Sequence, residues 1–68
     1  MRSRGDGLTR REVDVARMVA KGLDAPALAK ELAITVGTAK LHLHRVYGKL
    51  KVAGREDLVK YVQAKGLP

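Results

Sequence analysis

The residues best equipped for chemistry in this 68-residue chain crowd into one stretch, residues 35–50, Thr-Val-Gly-Thr-Ala-Lys-Leu-His-Leu-His-Arg-Val-Tyr-Gly-Lys-Leu. It holds both histidines, His42 and His44, together with Lys40, Arg45 and Lys49, and no acidic residue. The histidines are two positions apart, not the four that would aim two imidazoles at one metal from a helix face, and no carboxylate lies near them to complete a ligand set. No cysteine is present, which removes a thiol nucleophile, a disulfide framework and a cysteine-based zinc site. Paired carboxylates, a nucleophile beside a base and a glycine-rich phosphate loop are also missing, so no metal, cofactor or catalytic residue is expected. What these side chains can do together is bind a polyanion: cations and hydrogen-bond donors with no acid to repel it.

A helix over Thr35 to Leu50 would position them. Val36, Ala39, Leu43, Val46 and Leu50 recur at the three-to-four spacing of a single buried stripe. The opposite side then carries Gly37, Lys40, Leu41, His44, Arg45, Gly48 and Lys51. That face is basic and has no side chain at two points, which suits a helix laid against a phosphate-lined groove. His42 falls on the flank of the stripe and is expected as a hydrogen-bonded packing residue.

Charge narrows the partner. Fourteen Lys and Arg against seven Asp and Glu leave a formal net charge of +7 and a pI near 10.3. So basic a small domain favours nucleic acid. A membrane-surface helix would carry Trp or Phe on its apolar side, and the chain has neither. No apolar run approaches the ~18 residues of a membrane span. Residues 1–7 are polar, unlike a signal peptide, and are expected as a flexible lead-in to one small domain over residues 8–68.

In chain order, Leu8-Thr9-Arg10-Arg11-Glu12 starts a first helix. Thr9 is the N-cap, Glu12 completes a capping box, and Leu8 can staple onto Val13. Glu12 also projects toward the core side, which leaves a partly buried ion pair as its alternative role; the cap is preferred. The core face holds Val15, Met18 and Val19, with Ala16 alongside, and the helix runs to about Lys21. Gly22 in left-handed conformation stops it and Leu23 folds back. Ala-Lys-Gly-Leu recurs at 64–67 as a second stop signal. Asp24 or Ala25 caps a short second helix with Pro26 in its first turn and Leu28, Ala29 and Leu32 inward. It ends near Ala33, and Ala33-Ile34-Thr35 is the whole connection to the third helix. Gly54-Arg55-Glu56-Asp57 opens a fourth helix, with Leu58, Tyr61 and Val62 inward and Val59 at the edge. No strand signal is present, so the expected fold is all-α: a four-helix domain containing a helix-turn-helix.

From Leu8 to about Leu67 the chain resembles the LuxR-type helix-turn-helix domain found at the C-terminus of many bacterial response regulators and quorum-sensing activators. The resemblance rests on Leu8-Thr9-x-Arg11-Glu12, Gly22-Leu23, Leu28-Ala29-x-x-Leu32-x-Ile34, Thr38-x-Lys40-x-His42, Lys49-Leu50-x-Val52 and Arg55, all in order and at matching spacing. It implies a cytoplasmic regulator that binds double-stranded DNA with its third helix in the major groove. By position it implies Lys40, Leu41 and His44 as base-edge contacts, the residues that the helical periodicity also turns outward. It implies Thr35, Thr38, Arg45 and Lys49 as DNA backbone contacts, although Thr35 is equally an N-cap, and Lys49, Lys51 and Arg55 equally belong to a solvated face. It further implies a homodimer contact through the fourth helix, where Val59 and Gln63 form the outer strip. The chain departs from the family pattern at Ala25, Pro26, Ala27 and Ala39, and in the two outward glycines, Gly37 and Gly48. Those glycines either admit a close DNA backbone or loosen the helix. The competing functional reading is a protein-interaction module on the same scaffold that contacts RNA polymerase or a partner regulator; a sigma-factor-like DNA-binding fragment is a cousin of the first.

Overall fold

The computed structural model of the chain describes residues 7–66. Apart from Gly7, the lead-in expected over residues 1–7 lies outside the described residues, as does Leu67 of the second stop signal expected at 64–67. Four helices follow in order: α1 (Arg10–Ala20), α2 (Ala25–Leu32), α3 (Val36–Leu50) and α4 (Arg55–Lys65). The described residues contain no strand.

Each helix begins close to where local chemistry dictates. Thr9 caps α1 by accepting the Glu12 N–H at 3.2 Å, and Glu12 Oε1 accepts the Thr9 N–H at 2.9 Å, so the capping box is complete. Asp24, rather than Ala25, caps α2 by accepting the Ala27 N–H at 3.0 Å. Thr35 does the same for α3 toward the Thr38 N–H at 3.1 Å.

Three helices end on one hydrogen-bond pattern. After α1, Gly22 donates to the Val19 carbonyl and Leu23 to that of Met18, with Gly22 at φ +102. After α2, Ala33 donates to Lys30 and Ile34 to Ala29; after α3, Lys51 donates to Gly48 and Val52 to Tyr47. This is the Schellman closure, whose pivot residue must be left-handed. Glycine fills the pivot only after α1. Ala33 and Lys51 both adopt φ +57, at a cost of about 1 kcal/mol each for an L side chain there. The α2–α3 turn therefore stores strain that the surrounding packing outweighs.

The core is wholly aliphatic. Val13, Val15, Ala16 and Val19 of α1 meet Leu28 and Ala29 of α2, Ala39, Leu43, Val46 and Leu50 of α3, and Leu58 of α4. Leu8 and Val13 are both buried, as the staple requires, whereas Met18 is half-buried. The helix α1 is the hub: it packs against α2, α3 and α4, and α2 packs against α3. The short α2 thus braces the start of α3, while α4 leans chiefly on α1.

Two expectations are corrected. Val36, which its spacing assigns to the buried stripe, is 40% exposed. It is the first residue of α3, and a helical Cβ leans toward the N-terminus, so its side chain points toward the turn that precedes the helix. His42 is half-buried on the flank of the stripe as expected, but among the described residues its imidazole has no hydrogen-bond partner. Partial exposure leaves that ring open to water, so burial does not demand a protein partner.

Candidate nucleic-acid interface

The outward side of α3 is laid out by helix arithmetic. At about 100° per residue, Gly37, Leu41, His44 and Gly48 fall within about 60° of one another, directly opposite Ala39, Val46 and Leu50. Lys40 flanks that line on one side and Arg45 on the other. Gly37, Lys40, Leu41, His44, Arg45 and Gly48 are all exposed. From Gly37 to Gly48 the line runs about 16 Å, some three helical turns.

Two features make this face unlike ordinary solvated surface. Leu41, in this line, is 48% exposed; Val36, the other large hydrophobic residue that the described residues leave exposed, lies on the flank of α3 about 140° around from it. In a domain with so thin a core, leaving these two outside withholds apolar area that folding could have used. The second feature is charge: Lys40, Arg45 and the nearby Lys51 are exposed, and no acidic side chain occurs in α3.

The start of α3 adds hydrogen-bond donors. Thr35 Oγ1 accepts the Thr38 N–H and donates to Thr38 Oγ1 at 2.9 Å, so the Thr35 hydroxyl is occupied as a cap. The Thr38 hydroxyl keeps its own proton for an outside acceptor. The first two helical amides, of Val36 and Gly37, have no intrahelical carbonyl to bind and sit at the positive end of the helix dipole.

Lys49 stands apart from the other predicted contacts. Its ammonium lies 2.7 Å from Glu12 Oε1 and 3.2 Å from the Gly7 carbonyl oxygen. Glu12 is only 4% exposed. Burial would push its carboxyl up, but Lys49 and the Thr9 backbone N–H outweigh this and hold it below its ordinary value. Glu12 is therefore both cap and ion-pair member, where the sequence left these as alternatives. The capping box was readable locally; a partner 37 residues away was not.

The predicted dimer residues sit together on another side. Val59, half-buried, and exposed Gln63 line a shallow groove with Val19, Ala20 and Gly22 from the end of α1. Among the described residues no cluster of His, Cys, Asp and Glu could hold a metal ion, and no helix is long and apolar enough to cross a membrane.

Comparison with known proteins places the chain in a family. The family described as "Bacterial regulatory proteins, luxR family" matches residues 6–62. A protein of Aeromonas salmonicida, provisionally named an HTH-type transcriptional regulator, is 48% identical over 54 residues, covering 79% of this chain and 28% of its own. Regulators provisionally named in the same way from Mycobacterium bovis and Mycobacterium tuberculosis are 42% and 40% identical over 67 residues, covering 97% of this chain and 8% of theirs. The chain thus spans less than a third of the length of these relatives.

Proposed function

Because the chain belongs to the luxR family of bacterial regulatory proteins, we propose that it is the DNA-binding domain of a transcriptional regulator and reads double-stranded DNA with α3 in the major groove. The observation that carries this is the exposed α3 face, on which leucine, histidine and two flanking cations lie opposite the buried stripe. With α3 laid in the groove, Leu41 and His44, in the outward line, would face the base edges, and Lys40 and Arg45 on either side of that line would face the base edges or the phosphates.

The roles follow from what each group can offer. Lys40 donates to guanine O6 or N7. Leu41 gives an apolar contact suited to a thymine methyl. His44 donates or accepts according to its tautomer. Arg45, the Thr38 hydroxyl and the free amides at the start of α3 take phosphate oxygens. Thr35 contributes through the cap that holds those amides. The α4 edge, Val59 and Gln63, pairs two copies on a two-fold related site; sedimentation of the domain with and without a palindromic duplex tests this, and two domains bound without any α4 dependence would refute it.

Titration of labelled duplex at several salt concentrations tests the main reading. The logarithm of affinity should fall linearly with the logarithm of salt, by about 0.9 for each phosphate neutralised. Absence of salt-dependent binding to any duplex would overturn it. Lys40→Ala should weaken binding to a duplex selected by the parent domain and leave the melting temperature unchanged; equal affinity for that duplex would remove Lys40 from the contact set.

A further inference from the structure

We infer that Lys49 is a positioning residue: with Glu12 and Gly7 it locks the reading helix to the start of α1, and it acts on DNA through that lock instead of by neutralising a phosphate. This rests on the DNA-binding reading above but departs from the backbone-contact role that family resemblance implies for Lys49.

The geometry is specific. Lys49 lies in the last turn of α3, and its ammonium spans two segments, the buried Glu12 carboxylate at 2.7 Å and the Gly7 carbonyl at 3.2 Å. Glu12 Oε1 also accepts the Thr9 N–H that opens α1. One carboxylate oxygen therefore ties the α1 cap to the far end of α3. Gly7 takes part through its backbone: at φ +78 it occupies the left-handed region that favours glycine, and its carbonyl meets the ammonium there. Two of the three ammonium donors are thereby spent inside the domain.

The energetics favour keeping the lock closed. A carboxylate with Glu12's exposure cannot lose its cation without a desolvation cost, so Lys49 cannot swing out to a phosphate while leaving Glu12 ionised and unpaired. The lock also answers a mechanical need. The α3 helix meets α1 through small and aliphatic side chains, which resist separation but direct orientation weakly. A charge-assisted hydrogen bond near the end of α3 fixes the remaining angle, and base readout tolerates only small errors in that angle.

Glu12→Gln is the discriminating variant. Glutamine still completes a capping box, so α1 keeps its start. The substitution raises the net charge by one and frees the Lys49 ammonium. Were Lys49 a phosphate contact, freeing it would tighten binding to selected and random duplex alike. The lock predicts the opposite split: affinity for the selected duplex falls about tenfold, the worth of one good base contact, while random duplex is bound as well as before or better. Tighter binding to both duplexes, or no change in either well below the melting temperature, overturns the inference. Lys49→Met supplies a second arm: its salt slope on random duplex should match the parent, and a slope smaller by about 0.9 would assign Lys49 to a phosphate instead. Failure of the parent domain to bind any duplex would be a separate result against the DNA-binding reading. In that case backbone amide shifts still decide the lock, because Glu12→Gln should then move resonances along α3 and not only those within α1.

Discussion

Gly37→Ala and Gly48→Ala should each stabilise the domain, although both glycines sit on the face proposed to do its work. Both lie inside an unbroken α3. A Cβ added at Gly48 meets nothing within 4 Å, and at Gly37 it meets only Thr35 Oγ1 at 3.9 Å, an ordinary contact. Neither position needs a positive φ. Nothing inside the domain requires a glycine at either place, and each carries the helix-propensity deficit of about 1 kcal/mol relative to alanine. Gly37 is in the first turn and Gly48 in the last, where helices fray, so roughly half that value is expected at each. The positions are about 16 Å apart and share no partner, so the effects should add to about 1 kcal/mol in the double variant. For a domain of this size that raises the melting temperature by about 4–8 °C. Urea and thermal melts followed by far-UV circular dichroism measure it. A double variant no more stable than the parent would show that the glycines satisfy some constraint within the fold. Duplex affinity of the same proteins then separates the two reasons for having them. Loss of binding with gained stability means that the DNA backbone approaches closely; unchanged binding means that glycine is merely tolerated there.

Other outcomes follow from the core, the turns and the ion pair. Val46 is fully buried, so Val46→Asp places a carboxylate in the aliphatic core. The cost is several kcal/mol against a total of roughly 3–10 for a chain this short, and a cooperative melt at the parent temperature would refute the packing described. Ala33→Gly should stabilise by about 0.5–1 kcal/mol by releasing left-handed strain at φ +57, and Lys51→Gly should do likewise; a lower urea midpoint for both would contradict that. The Glu12 pKa is depressed on folding, so its ion pair contributes fully above the ordinary value of 4.5 and is lost as pH falls below it. The stability gap between the parent and Glu12→Gln should therefore be widest near neutral pH and shrink as the pH falls below 4.5; a gap independent of pH would remove the ionic component.

How much was legible in the sequence depended on the range of the interaction. The helix starts were written locally: Thr9 with Glu12, Asp24 before Pro26, and Thr35 before the α3 stripe each satisfy amides within three residues of themselves. The Gly22 stop is equally local. Apolar spacing placed Ala39, Leu43, Val46 and Leu50 inside and Lys40, Leu41, His44 and Arg45 outside, because helical periodicity alone decides which residues share a face. Hence the all-α architecture and the proposed reading face are both legible in local sequence.

Tertiary structure decided what periodicity cannot carry. A helical wheel has no ends, so it groups Val36 with the core; in space Val36 opens α3 and is 40% exposed. Periodicity also says nothing of where a long flexible side chain finds its partner. Lys49 reads as one more cation on a basic helix, and Glu12 as a helix cap or a partly buried ion-pair member with no partner named. Only folding brings them together across 37 residues, and only the burial of Glu12 makes that meeting obligatory. The sequence by itself determined which face of α3 is offered; the packing of α1 against α3, and the ion pair that closes it, set the angle at which that face is held.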